Sequence, residues 1–151
     1  MSDLRMFMVA NNSDDLVDYV ASERMGEPVL DKNGKPTGEV KPAVWKLKSV
    51  GAKLDEKIRK ECMVRVAVNS KRGQYREEID NDKYIGKLCV ASTVEPNLNS
   101  AELQDFYGVQ GADDLLKTML NAGEYALYKV KVMEVNGFDM SMEDEVEEAT
   151  N

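Results

Sequence analysis

This sequence contains few residues that could carry out catalysis, because histidine is absent from all 151 residues. Without an imidazole the chain cannot build the histidine-based triads of most hydrolases or the active sites of most zinc enzymes. The two cysteines, Cys62 and Cys89, lack a base partner and fall on apolar positions of predicted helices. We therefore interpret both as reduced core residues of a cytoplasmic protein.

Carboxylate pairs are the next candidates for acid–base or metal chemistry. The pairs 113–114 and 77–78 are adjacent in sequence, and neighbouring residues on a helix do not face each other. The acidic run 143–148 could attract a divalent cation, but it lacks the spacing of a calcium loop and is more typical of a solvated helix N-terminus. We expect no metal, no cofactor and no enzymatic activity.

Phosphate and nucleic-acid sites are also poorly supported. The glycine-containing segment 108–111 follows a predicted helix and has no Lys-Ser/Thr after it, unlike a phosphate-binding loop. Lys71, Arg72 and Arg76 could touch RNA, but so small a cluster on a net acidic protein is more often a solvated loop. Nucleic acid is therefore not an expected partner.

Composition and charge indicate one soluble domain over residues 1–151. The chain is 42% hydrophobic and 32% charged. No apolar run approaches the ~20 residues of a membrane helix, and residues 1–12 lack a signal-peptide pattern, so no membrane association is expected. Residues 1–90 carry 17 basic and 15 acidic residues, whereas residues 91–151 carry 3 and 13. The acidic part can attract basic protein partners, or it can serve solubility alone.

Helices and one turn dominate the expectations for the N-terminal half. A first helix is expected from Ser13 to Arg24. Residues 25–43 are rich in Gly and Pro and predict a loop region with a turn at 31–34. Hydrophobic period and turn residues then predict helices at 52–63 and 81–94, with a loop at 70–73 between them.

One strand is predicted between the turn and the second helix. Trp45 and Leu47 alternate with lysines over residues 44–50, which is typical of a strand with one buried face. We expect Trp45 in the core. The partner strand is either Pro28–Leu30 or Met6–Val9.

Residues 94–125 are dense in helix start and stop signals. Asn99 and Glu102 have the spacing of a capping box, and they predict a short helix that Gly108 ends. Gly111 then opens a second helix with acidic residues in its first turn. Short helices that are bounded by such start and stop residues usually serve packing or protein recognition.

The C-terminal part leaves one choice open. Residues 126–135 fit a strand by alternation and a helix by their wider apolar spacing, and Gly137 ends either element. Ser141 forms a capping box ahead of an acidic helix at Met142–Ala149, within the acidic tail 139–151. The predicted fold is mainly α with a small β-hairpin or sheet near the N-terminus, an α+β class built as a compact bundle of short helices.

A partner-binding surface is expected on the short helices between Asn99 and Leu120. Its candidate exposed anchors are four apolar residues: Leu103, Phe106, Tyr107 and Leu116. The alternative is that all four belong to the core.

A family resemblance spans nearly the whole chain. In the N-terminal part it is carried by Tyr19–Arg24, Asp31–Pro36 and Trp45–Lys48. In the rest it is carried by Asp82–Tyr84, Val94–Leu98, Glu102–Asp105, Tyr107–Val109, Leu115–Lys117, Met119–Leu120, Gly123–Tyr125 and Asn136–Phe138. In order and spacing these motifs resemble the phage tail assembly chaperones of the Bacillus-type defective, contractile-tailed prophage group.

The resemblance implies a non-enzymatic role in virion assembly. Members of such a family bind the tape measure protein, keep it soluble, and yield as tail tube subunits polymerise around it. Related phages also make a longer, frameshifted form that is thought to recruit tube protein. The tail tube protein and a second copy of the chain are further candidate partners. The expected location is the cytoplasm of the bacterial host, with the protein absent from the mature virion.

Two other functions compete with this expectation. A structural tail or baseplate component would be retained in the virion. An acidic regulator that mimics DNA would account for residues 91–151 but not for the near-neutral N-terminal half. The sequence also departs from the family pattern, since Thr37–Ala43 lengthens the loop before Trp45 and the stretch 128–132 is more strand-like than usual.

Overall fold

Helices and small antiparallel sheets alternate along the chain in the computed structural model, which describes residues 3–8, 15–68 and 72–138. A short 3₁₀ helix, Leu4–Phe7, precedes the first strand. The elements are β1 (Val17–Tyr19), β2 (Gly26–Leu30), β3 (Pro36–Pro42), β4 (Trp45–Leu47), α1 (Ala52–Glu61), β5 (Met63–Ala67), β6 (Tyr75–Ile79), α2 (Asn81–Ser92), β7 (Thr93–Glu95), α3 (Ala101–Tyr107), α4 (Ala112–Met119) and α5 (Ala122–Val135). The α+β class is therefore confirmed.

A three-stranded antiparallel sheet in the order β1-β4-β7 supports one side of the core. Trp45 and Leu47 of the central strand β4 are buried, as their alternation predicts. Both expected partners of this strand were wrong: β4 pairs with β1, where Tyr19 lies opposite Trp45, and with β7. These pairings join distant parts of the chain, and local pattern does not report them.

The helix expected over Ser13–Arg24 is not formed in its described part, residues 15–24. Residues 17–19 are strand β1, and residues 9–14 lie outside the described part of the chain. Val17 and Val20 are three residues apart, which is typical of one face of a helix, whereas Val17 and Tyr19 are two residues apart, which is typical of one face of a strand. Pairing with β4 stabilises the strand.

Two β-hairpins project from the helical part. The turn at 31–34 is confirmed, because the Asp31 carboxylate accepts from the amides of Asn33 (2.8 Å) and Lys35 (2.9 Å). The residues on either side of that turn pair as β2 and β3, so most of the expected loop 25–43 is a hairpin. The hairpin β5–β6 was missed, although Val64 and Val66 alternate ahead of the expected loop 70–73.

Helix α2 is the centre of the core. Leu88, Cys89 and Ser92 on this helix have no exposed surface, and the helix packs against α1, α4 and α5. A Cβ added to Gly86 of α2 would stand 3.0 Å from Asp113 Oδ1, at the end of a side chain of α4. Cys62 and Cys89 are both buried and unpaired, as expected.

Helix α5 resolves the ambiguity of residues 126–135. Asn121 and Glu124 form a capping box, with each side chain accepting from the other residue's amide at 2.9 Å. This signal in the sequence was missed, and it starts the helix four residues before the ambiguous stretch. The helix ends ahead of Gly137, as expected. The predicted helix Met142–Ala149 lies outside the described residues.

The side chain of Asn136 ties the end of α5 to two other helices. Its Oδ1 accepts from the Val50 amide (2.8 Å), just before α1 begins. Its Nδ2 donates to the Ser92 hydroxyl (3.0 Å), at the end of α2, and to the Val132 carbonyl (2.8 Å). One amide group therefore satisfies polar atoms from three segments that meet at a partly buried point.

We expect Asn136→Ala to destabilise the fold by about 1–3 kcal/mol, since it leaves the Val50 amide and the buried Ser92 hydroxyl without their partner. Urea unfolding of the variant measures the change. Asn33→Ala at the exposed hairpin turn is the matched control, with an expected change within ~0.5 kcal/mol. Equal stability of the two variants would contradict this role of Asn136.

An ion pair connects the segment after β1 to the start of α5. Arg24 donates to both carboxylate oxygens of Glu124 (2.6 and 3.3 Å) and to the Met119 carbonyl (3.1 Å). Hydrogen bonds from the Arg24 guanidinium, and then from the Asn121 amide, lower the pKa of Glu124 to about 2. The carboxylate thus holds both the capping box and the link to Arg24.

Because the pKa of Glu124 is lower in the folded chain than in the unfolded chain, its contribution to stability is complete above its ordinary pKa near 4.5 and is lost as pH falls towards 2. We expect the melting temperature of the wild type to fall more steeply over this window than that of Glu124→Gln. Thermal unfolding from pH 6 to about pH 2 tests this, with Glu134→Gln on the exposed side of α5 as control. Parallel curves for the wild type and Glu124→Gln would contradict it.

Candidate protein-binding surface on α3

Helix α3 starts one residue later than the sequence suggests. The Ser100 hydroxyl accepts from the Leu103 amide (3.2 Å), and so Ser100 is the N-cap. The expected capping box of Asn99 and Glu102 is wrong, because Asn99 belongs to the preceding turn, where its amide donates to Asn97 Oδ1 (3.0 Å). The helix ends at Gly108, as expected, with a left-handed φ of 67°.

The side chain of Gln104 fixes α3 at both ends. Its Nε2 donates to the Leu98 carbonyl (2.9 Å) ahead of the helix, and its Oε1 accepts from the Gly111 amide (3.1 Å) beyond it. Leu98 is buried in the core, while Gly111 is the N-cap of α4, as expected. A helix of only seven residues is therefore hydrogen-bonded to its flanking segments at both ends.

The four predicted anchors fall into three environments. Phe106 is 79% exposed, which fits an anchor. Leu103 and Tyr107 are half-buried and pack against the core while keeping part of their surface in solvent. Leu116 is 0% exposed, so its expected role as an exposed anchor is wrong. Its place on the apolar stripe of α4 turns it towards α2.

A shallow groove lies beside Phe106. The Phe106 ring packs edge-on against Tyr107, with ring centroids 4.9 Å apart and an angle of 83° between planes. The groove has a volume of about 470 Å³ and runs along the start of α3. Its lining residues are Pro96, Asn97, Ser100, Glu102, Leu103 and Phe106. The surface combines an apolar edge with polar and acidic neighbours.

The electrostatic character of this surface is acidic. Helix α3 carries Glu102 and Asp105, both exposed, and no basic residue. An exposed aromatic ring flanked by acidic side chains favours a ligand that combines apolar and basic groups.

Other exposed apolar side chains were not singled out by the sequence argument. The segment before β1 exposes a run of large residues, each 71–72% accessible: Leu4, Met6, Phe7 and Met8. The clustering of these four residues in the sequence was a signal that could have identified this exposed apolar segment. On α5, Leu127 is 65% exposed.

Metal-binding groups and membrane-spanning helices are both absent from the described ranges 3–8, 15–68 and 72–138. In these ranges no three acidic, cysteine or histidine side chains come together as a metal-binding group. None of the helices placed there has the length and apolar character to span a bilayer.

Similarity to known proteins covers almost the entire chain. It is 29% identical over 133 residues to the uncharacterized protein YqbN of Bacillus subtilis strain 168, covering 87% of each chain. It is 27% identical over 133 residues to the phage-like element PBSX protein XkdN of the same strain, again covering 87% of each. The crystal structure of YqbN superposes with a TM-score of 0.63 at 26% identity, covering 92% of this chain and 99% of that one.

A protein-family model also matches the chain. It describes the phage XkdN-like tail assembly chaperone proteins and matches residues 4–150. The match includes the three-stranded sheet, both hairpins and all five described helices. The chain therefore belongs to the XkdN-like family of phage tail assembly chaperones.

Proposed function

We propose that this chain binds the tape measure protein of a phage tail, keeps it soluble, and releases it as tube subunits assemble around it. Membership of the tail assembly chaperone family supports the general role. The observation that supports direct binding of an apolar partner is Phe106, an aromatic side chain left 79% exposed on a helix that Gln104 hydrogen-bonds at both ends. An exposed aromatic side chain beside a groove is typical of a binding surface.

The surface on α3 also suggests the chemistry of the segment it binds. Leu103, Phe106 and Tyr107 offer apolar contact, and Glu102 and Asp105 flank them with negative charge. The matching ligand is an amphipathic helix whose apolar face is bordered by Lys or Arg. Contacts at the edge of a groove this shallow favour moderate affinity, which suits a chaperone that must be displaced.

The function is tested by co-expression with the tape measure protein of the same phage, followed by a solubility assay and affinity capture. The expected result is a soluble tape measure protein that co-purifies with this chain. We also propose that the chain acts in the host cytoplasm and is absent from the mature virion. An insoluble tape measure protein, with this chain present in purified tails, would favour a structural tail or baseplate component instead.

Substitution of Phe106 separates binding from folding. We expect Phe106→Ala to change stability by less than ~0.5 kcal/mol, because the ring is mostly exposed, and to lose most tape measure binding. Leu127→Ala is the matched control, an exposed apolar residue on α5 that should leave binding unchanged. Leu116→Ala should cost about 2–5 kcal/mol, because Leu116 is fully buried.

Urea unfolding and affinity capture on the same three variants give both quantities. If Phe106→Ala binds the tape measure protein as well as the wild type does, α3 is not the anchoring surface. That result would not contradict the chaperone role. Unfolding of Phe106→Ala would show that the ring belongs to the core.

A further inference from the structure

The hairpin β5–β6 leaves both of its outer edges without a neighbouring strand in the described part of the chain. Of the described strands, β5 and β6 pair with each other alone. Most of their residues are exposed, including Tyr75 at 56%, Met63 at 39% and Val64 at 38%. A two-stranded hairpin is only marginally stable by itself in water, and further strands stabilise it.

The other hairpin is protected against the addition of a strand, whereas β5–β6 is not. Strand β2 contains Pro28, and strand β3 begins at Pro36 and ends at Pro42. Proline has no N–H to donate to a neighbouring strand, so it blocks pairing at an edge. Neither β5 nor β6 contains a proline. The edges of β5–β6 are therefore chemically open to pairing.

Hydrogen bonds at the two ends of the hairpin show which of its backbone groups face outwards. The Val68 amide donates to the Gln74 carbonyl (3.0 Å), and the Asp80 amide donates to the Cys62 carbonyl (2.8 Å). Both pairs continue the register of the ladder, in which bonded and non-bonded pairs alternate. The backbone groups of the non-bonded pairs therefore point away from the hairpin. On the β6 edge, the residues with outward N–H and C=O groups are Tyr75, Glu77 and Ile79.

The β6 edge is complementary in charge to a second copy of itself. If two β6 strands pair antiparallel about Glu77, the outward backbone groups of the two copies meet. Arg76 of each copy then lies opposite Glu78 of the other copy. These two residues form non-bonded pairs, in which opposed side chains come closest, and opposite charges there stabilise a sheet. The same register sets Tyr75 opposite Ile79 of the other copy.

The like charges at the centre of this pairing are the best separated of the available choices. The two Glu77 residues form a bonded pair, whose side chains lie farther apart, and each Glu77 has Arg65 opposite it in its own hairpin. Moving the two-fold axis to Arg76 or to Glu78 sets like charges against each other at the close, non-bonded position. Pairing of two β5 strands about Arg65 opposes two arginines and brings no opposite charges together.

We propose that β6 is a self-association edge, at which two copies of this chain pair antiparallel and join their hairpins into one four-stranded sheet. Because both copies use the same edge, the pairing closes at a dimer. The inference concerns this chain alone, so it stands or fails separately from binding of the tape measure protein.

Sedimentation of the full-length chain over a concentration series tests the dimer. The wild type should form a dimer as concentration rises, and a monomer throughout would overturn the proposal. Arg76→Glu and Glu78→Arg should each weaken dimerisation about tenfold or more, since each turns both opposite-charge pairs into like-charge pairs. Lys41→Glu, on the exposed surface of the β2–β3 hairpin, is the matched control and should dimerise as the wild type does. Equal weakening by Lys41→Glu would overturn the assignment to β6.

An equimolar mixture of Arg76→Glu and Glu78→Arg distinguishes this pairing from a general effect of charge. Opposite charges face each other across the seam only when the two different variants pair. The mixture should therefore recover the dimer that each variant alone has lost. Both side chains are exposed, with an ion pair of 2.6 Å between them, so these substitutions should keep the fold. A mixture that stays monomeric would overturn the proposal.

Two proline variants identify the edge. Glu77→Pro and Arg65→Pro each remove an outward N–H, one from β6 and the other from β5, and neither removes a hydrogen bond of the hairpin. We expect a monomer from Glu77→Pro and a dimer from Arg65→Pro. The reverse pattern would show pairing through β5 and overturn the proposal. If a proline variant fails to fold, the charge variants still decide between the outcomes.

Discussion

The structure depends on the packing of the Tyr128 ring between helix α5 and the three-stranded sheet. The ring has no exposed surface, lies 5.4 Å from the Trp45 ring in an edge-on arrangement, and lies 6.0 Å from the Tyr19 ring. Its hydroxyl is hydrogen-bonded to Thr93, and burial raises its pKa above the ordinary range. One residue therefore joins β1, β4 and β7 to α5. Buried aromatic contact with a satisfied hydroxyl is among the stronger stabilising arrangements open to a small domain.

This core leaves the shorter elements on the periphery, where they can serve contact with other molecules. Helices α3 and α4 contact each other, Leu115 and Leu116 of α4 are buried, and Gln104 holds the turns at both ends of α3. Phe106 consequently points outwards from a fixed support. The two hairpins β2–β3 and β5–β6 each form a separate two-stranded sheet. A family whose role is to assist assembly needs surfaces that are presented stably but are not filled by the chain itself.

The fold was predictable where the signals are local. Turn residues around Asp31, the left-handed glycine at Gly108 and the helical spacing of α1 and α2 all act within a few residues, and each prediction is confirmed. The N-cap of α3 was wrong by one residue, since Ser100 and Asn99 both qualify and only backbone geometry separates them. Strand β1 was missed because its partner β4 lies about 28 residues away, as the pairing of Asp18 with Lys46 shows. Pairing at such separation overrides weak local preference.

The sequence by itself determined the absence of histidine chemistry, the acidic C-terminal half, the glycine that ends α3 and the family. Only the tertiary structure decided which apolar residues remain exposed. Leu116 and Phe106 look alike in sequence as apolar residues on short helices, yet one is fully buried and the other is 79% exposed. The difference arises because burial depends on which face of each helix meets the core, and that is set by packing between distant segments.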